Sequence, residues 1–341
     1  MTQPAKARAQ IGLLPDWRRL HLHDGPIDLI VEAFGEAHEI SAAYRAAAQR
    51  FVTVLDELCG ELPLLRQLAR QGSPLPDGVV AKRMMAAVVP YCERTFITPM
   101  AAVAGAVAEE ILQTMTCAAS LCRAYVNNGG DIALHLARGE QFVVGMVERP
   151  DRPSLFGTAT INSTHPVRGL ATSGWRGRSF SLGIADAVTV LAERAAMADA
   201  AATIIANAVD LPGHPAITRV PARDLAPESD LGDRLVTQGV GELSADEIAA
   251  ALDAGDAVAR SLVSQGLIHS AALNLRGETR IVELARALTH GETEDTEGHE
   301  FTRAAKPSRI CPRLSARGRL SPRPPLFRHT VWPQISVNAI A

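Results

Sequence analysis

The apolar positions of this chain keep two rhythms, and the switches between them outline its elements. Residues 27–34 form a short apolar run closed by Gly35, as expected of a strand. Across residues 37–58 the spacing changes. Ile40, Ala43, Ala47, Phe51, Val54 and Leu58 recur every three or four positions, which places them on one stripe of a long helix. Residues 72–78 hold two prolines and two glycines and read as a loop. Residues 79–89 fit either a strand or a helix. Thr98-Pro99 predicts a helix start, with Thr at the N-cap and Pro at the first helical position, running to about Met115.

From Arg123 a period of two takes over. Strands are predicted at 124–127, 132–136, 141–147, 157–162 and 188–191, with Arg138-Gly139-Glu140 as a hairpin turn. Residues 195–209 form an alanine-rich helix. A helix pair follows at 244–254 and 256–265, opened by a capping box of Ser244 and Glu247. Residues 274–282 resemble a terminal hairpin turning at Gly277. The expected fold is α/β in the mixed, α+β sense: antiparallel-rich sheet layers with alanine-rich helices packed on one face. Three regions are expected: a polar lead-in (1–25), one domain (26–288), and a disordered, basic, Pro/Arg-rich tail (289–341).

Composition sharpens this outline. In 341 residues aromatics are only 4% against 47% hydrophobic, so the core must be built from Ala, Val, Leu and Ile. Residues 301–341 carry eight Lys/Arg and no Asp/Glu, which leaves 26 basic against 37 acidic residues before them, a balance of −11. An acidic body argues against a nucleic-acid scaffold. The tail reads either as a basic binding arm or as a non-native extension. The five cysteines fit neither a CxxC pair nor a zinc knuckle and are expected as reduced thiols in or near the core. Residues 1–14 lack a continuous apolar stretch, and no window reaches the ~18 apolar residues of a membrane span. The expected location is the cytoplasm.

Three small-residue stretches carry candidate chemistry. Asn127-Asn128-Gly129-Gly130-Asp131 lies between two strands, where paired glycines admit a ligand close to the backbone and Asp131 can accept a hydrogen bond; an Asn/Gly turn is the plainer reading. Thr172-Ser173-Gly174 offers hydroxyls and amides suited to a phosphate or ring carbonyl, or is a simple turn. Asp199 and Thr203, at i and i+4 of a helix, present two hard oxygens suited to Mg²⁺; alternatively Asp199 serves the helix dipole and Thr203 bonds back to a carbonyl. Among the histidines, His21 and His23 project to one side if extended, either as a metal site or as a solvated lead-in. His135 reads as a satisfied sheet residue, and His165 is the better placed for proton transfer.

The order of these stretches, with Val188-Thr189-Val190 feeding the last helix, resembles the ApbE-like superfamily, in particular its uncharacterised cytoplasmic branch. Its best-known members are flavin transferases that attach FMN to a protein threonine using FAD. The resemblance spans roughly residues 25–285. It implies that Asn128, Gly129, Gly130, Asp131, Thr172, Ser173 and Gly174 bind a flavin or nucleotide. It further implies that Asp199, Thr203 and the Ala102 carbonyl hold Mg²⁺, with Asp199 catalytic. The implied activity is a Mg-dependent FMN or phosphoryl transfer from FAD or another nucleotide to an acceptor protein, with a homo-oligomer as an open option. Two positions differ from the transferases. Ala104-Gly105-Ala106 replaces a Lys-Gly step, and residues 181–187 lack their histidine and proline. The alternative is therefore a non-catalytic flavin- or nucleotide-binding protein of the same fold.

Overall fold

The computed structural model describes residues 8–147, 155–283, 301–303 and 337–338. A nine-stranded sheet runs through it, antiparallel at every pairing, in the order β1-β2-β3-β4-β5-β8-β9-β12-β13. The strands are β1 (Gln10–Leu13), β2 (Leu20–Asp24), β3 (Ile27–Phe34), β4 (Arg123–Asn128), β5 (Asp131–Leu136), β8 (Gly169–Ser173), β9 (Ala187–Ala192), β12 (Ser270–Leu275) and β13 (Glu278–Glu283). The helices are α1 (Ala37–Leu65), α2 (Val79–Val88), α3 (Val103–Ala118), α4 (Ala195–Ala208), α5 (Ala222–Leu225) and α6 (Ala245–Ser264). A second sheet, β14-β7-β6-β15, is built on β6 (Gln141–Val147) and β7 (Leu155–Asn162), with Phe301–Arg303 (β14) and Val337–Asn338 (β15) at its edges. A small hairpin joins β10 (Ile217–Pro221) to β11 (Leu235–Val240).

Because side chains alternate along a strand, the long sheet separates two cores. Ala124, Val126, Ala133, Ala171, Val188 and Val190 face the helices. Tyr125, Ile132, Leu134, Leu170 and Leu191 face the other way, where Phe142, Val144, Ala159 and Ile161 of the second sheet meet them. Arg138-Gly139-Glu140 therefore turns the chain from one sheet to the other. It is not a hairpin, since β5 pairs with β4 and β8, and β6 pairs with β7.

Other expectations shift for physical reasons. The lead-in supplies two strands of the main sheet rather than a solvated segment, because Leu20, Leu22 and Asp24 alternate inward on β2. His21 Nε2 lies 2.6 Å from Asp28 Oδ1, a cross-strand hydrogen bond that gives this histidine a partner on β3. Helix α1 continues past Leu58 to the fully buried Leu65, a side chain whose burial is worth roughly 1.5–3 kcal/mol, and it carries Pro63 in its last turn. Residues 79–88 resolve as a helix, with Val80, Met84, Ala87 and Val88 on its buried side.

The Thr98-Pro99 start opens a 3₁₀ turn (Pro99–Ala102) before α3, and the Thr98 hydroxyl donates to Asp230 (2.5 Å) instead of capping. The helix pair expected at 244–265 is the single helix α6. Gly255 lies inside it and packs closely, since a Cβ there would overlap Val209 Cγ2 and sit 2.8 Å from Leu273 Cδ2. The capping box is formed, Ser244 and Glu247 each accepting from the other's amide. The four described cysteines are free thiols as expected: Cys92 is half-buried against the core, whereas Cys59, Cys117 and Cys122 are exposed; Cys311 lies outside the described residues. So does the expected tail, apart from β14 and β15.

Candidate functional site

Helices α3 and α4 begin side by side, and each lacks a capping side chain of its own. The first amides of a helix have no partner within it. Here each helix satisfies the other. Asp199 Oδ2 on α4 accepts from Gly105 N at 3.0 Å, and Glu109 Oε1 on α3 accepts from Ala196 N at 2.8 Å. The close approach depends on a missing side chain: a Cβ on Gly105 would lie within 2.7 Å of Ala196 N and overlap the Ala195 carbonyl.

The β4–β5 turn is drawn to the same place. Asn128 Nδ2 donates to the Ala104 carbonyl at 3.2 Å, and Asn127 Oδ1 closes the turn by accepting from Gly130 N at 2.9 Å. Gly129 and Gly130 take φ of 67° and 116°, which glycine tolerates most readily. On the alternation of β5, Asp131 shares the helix-facing side with Ala133. It therefore lies close enough to Asp199 for the two charges to interact.

Burial pushes the Asp131 carboxyl up to about 7, opposed by the Thr172 amide and the Arg178 charge. Burial first, and the Asp131 charge second, push Asp199 upward too, against the amides of Ala104 and Gly105. Asp131 Oδ1 is buried and has no hydrogen-bond partner. Two carboxylates forced together, one with an orphaned oxygen, suit a hard cation. Thr203, one helical turn beyond Asp199, and the buried Ala102 main chain lie on the same elements. The donor set fits Mg²⁺ in chemistry. Among the described residues no group of three or more His, Cys, Asp or Glu is gathered as a metal cage.

The Thr172-Ser173-Gly174 stretch is not a free turn. Gly169–Ser173 is strand β8, and its side chains alternate. Thr172 points to the side away from the helices and bonds Thr189 Oγ1 at 2.9 Å, so only its amide reaches Asp131. Ser173 falls on the helix-facing side with Ala171. Gly174 is tight against β9's approach, a Cβ there falling 2.9 Å from the Ala185 carbonyl. His165 lies beyond the far end of β8, its Nδ1 buried without a partner, and is separated from the carboxylates by the strand's length. His135 Nε2 is satisfied by the Leu121 carbonyl at 3.1 Å.

Sequence reasoning missed Arg178. It follows β8 in a loop held by Asp186, which accepts from Trp175 Nε1, Arg176 Nε and Arg276 N. From that loop the Arg178 guanidinium lies directly over Gly129, its Cζ 2.7 Å from where a Cβ would be. Arg178 is thus an exposed cation above a glycine turn and beside a buried carboxylate. Only its sequence position, four residues beyond a motif that the reading did single out, hinted at it.

Comparison with known proteins identifies the chain's family and several relatives of part of its length. The family described as AbpE bacteria matches residues 11–281. UPF0280 protein MK0206 of Methanopyrus kandleri is 43% identical over 128 residues, 38% of this chain and 48% of its own length. A UPF0280 protein of Methanothermobacter thermautotrophicus is 38% identical over 138 residues, 40% of this chain and 51% of its own length. The chain spans about half the length of these curated relatives. Among solved structures, the apo form of the Pseudomonas stutzeri flavinyl transferase ApbE aligns at a TM-score of 0.38 and 11% identity, covering 82% of this chain and 94% of that one.

Proposed function

The chain belongs to the AbpE bacteria family, and from that premise we propose that the α3–α4–β5 junction is a Mg²⁺-dependent nucleotide site serving FMN transfer from FAD, or an equivalent transfer from another nucleotide. The reading is carried by the orphaned, buried Asp131 Oδ1 beside the elevated carboxylate of Asp199. Asp131, Asp199, the Thr203 hydroxyl and the Ala102 carbonyl would hold the ion, which when bound neutralises charge on a pyrophosphate and its leaving group.

The protein's own residues do the rest. Gly129 and Gly130 keep the turn free of side chains, Gly129 leaving room for the Arg178 guanidinium that faces the flavin or nucleotide, and Asn128 keeps the turn against α3. Ser173 and the amides around Thr172 and Gly174 line the opposite wall. Arg178 meets the phosphates from above. In the transfer an acceptor hydroxyl oxygen bonds to the FMN phosphorus as the bond to the AMP oxygen breaks. Asp199 would take the hydroxyl proton on a carboxylate oxygen not engaged by the ion. The acceptor would be a protein threonine or serine, and the setting the cytoplasm. Among the described residues no helix is long and apolar enough to cross a membrane.

A second reading keeps the pocket and drops the transfer. It is favoured by the absence of lysine from Ala104-Gly105-Ala106, where the transferases carry a Lys-Gly step. Calorimetric titration with FAD and Mg²⁺ tests the site. Binding to the wild type and its loss in Asp199→Asn, with unchanged circular dichroism, supports it; no binding to the wild type rejects it. Incubation with FAD and an acceptor protein then separates the readings, since covalent flavin on the acceptor excludes a binding-only role.

A further inference from the structure

The β10–β11 hairpin, the C-terminal half of α4, α6 and the segment following α2 enclose a cavity of about 870 Å³. It is distinct from the carboxylate site. Its α4 wall is made by Ile204, Asn207 and Ala208. At the ~100° turned per helical residue, Ile204 and Ala208 face the side roughly opposite Asp199 and Asn207 lies on the flank between.

Four charged side chains line the cavity: Arg94, Asp210, Arg219 and Arg234. Asp210 is ion-paired with Arg219. Arg94 and Arg234, both exposed, have no acidic partner among the described residues, which leaves a balance of +2 along this lining in a protein whose net charge is −3. Arg234 stacks over Phe96, its Cζ 3.4 Å from the ring centroid, so one guanidinium face is already set against an aromatic plane. Tyr91 lines the same space; its ring is buried, and its hydroxyl has no side-chain partner among the described residues and is left as a donor available to a bound group.

We propose that this cavity binds an aromatic phosphate monoester, either a nucleoside monophosphate or a smaller aryl phosphate. The phosphate dianion matches the two unpartnered arginines and accepts the Tyr91 hydroxyl proton in a hydrogen bond. The flat ring lies against the free face of Arg234 and the apolar walls of Leu182, Ile204 and Leu262. The proposal stands apart from the carboxylate site and does not depend on its function.

The test uses the full chain in EDTA, with calorimetric titration by phenyl phosphate, AMP and inorganic phosphate. The expected result is one site per chain, with an aryl ester at least tenfold tighter than inorganic phosphate. AMP binding tighter than phenyl phosphate marks a nucleotide as the ligand, and the reverse marks a smaller ester. Arg94→Gln/Arg234→Gln should weaken binding at least tenfold with an unchanged melting curve, and Tyr91→Phe about threefold, while Asp199→Asn leaves it unaltered. Four results overturn the proposal: no saturable binding, equal affinity for inorganic phosphate, undiminished binding to a folded arginine variant, or loss in Asp199→Asn. If the arginine variant does not fold, Tyr91→Phe decides alone, and unchanged affinity overturns it.

Discussion

Asp131→Asn isolates the electrostatic cost built into the site. In the folded protein Asp131 titrates near 7 rather than at 3.8, because burial opposes its charge. Between those values the folded state holds a proton that the unfolded chain has released. The stabilisation this gives is complete below about pH 4 and is lost as pH rises through about 7. Moving one carboxyl over that interval corresponds to at most about 4 kcal/mol, which relaxation and partial solvent access reduce to about 2 kcal/mol.

Asparagine keeps the shape and never ionises. In EDTA the variant should match the wild type near pH 4.5 and exceed it by about 2 kcal/mol at pH 8. Urea denaturation at both pH values, read as midpoint and slope, measures the difference. Mg²⁺ should then restore stability at pH 8 to the wild type alone, since only that protein offers the carboxylate pair. A wild-type-minus-variant stability that stays flat from pH 5 to 8 would falsify the argument, because it would mean that Asp131 ionises there as freely as in water.

Three further outcomes follow from the packing and capping. Gly105→Ala should destabilise by about 1–3 kcal/mol, because the added methyl overlaps the Ala195 carbonyl and must part α3 from α4; thermal melting checks it, and a neutral result denies the close contact. Ser244→Ala removes the α6 cap and should cost about 1 kcal/mol in denaturant midpoint without altering ligand binding. Arg178→Gln should weaken FAD binding about tenfold in calorimetry while leaving stability within about 0.5 kcal/mol. It should also raise the Asp131 carboxyl further, by removing the positive charge beside it.

How much could be read from the chain alone depended on how local the cause was. The α1 stripe, the capping box of α6 and the glycine turn at 277 were legible because each arises from residues within a few positions of one another. Strand β8 was not. Gly169–Ser173 is too short and too small-sided to carry a period of two, and it becomes a strand only because β5 and β9 flank it. The Arg138-Gly139-Glu140 turn looked like a hairpin for the same reason: local propensity specifies a reversal but not the sheet in which the next strand pairs.

The site divides along the same line. Sequence order alone singled out Asp131, Asp199, Thr203 and the two glycines as residue types suited to a metal-bound nucleotide. Only the folded chain brings Asp131, from a strand, and Asp199, from a helix 68 positions later, close enough for the Asp131 charge to raise the affinity of Asp199 for a proton. Only the fold turns the Thr172 hydroxyl away, because strand alternation gives it to Thr189. Arg178 and the arginine-lined cavity behind α4 also emerge at this level. Charge and burial act through space, and the distances that set them are fixed by packing between elements far apart in the chain.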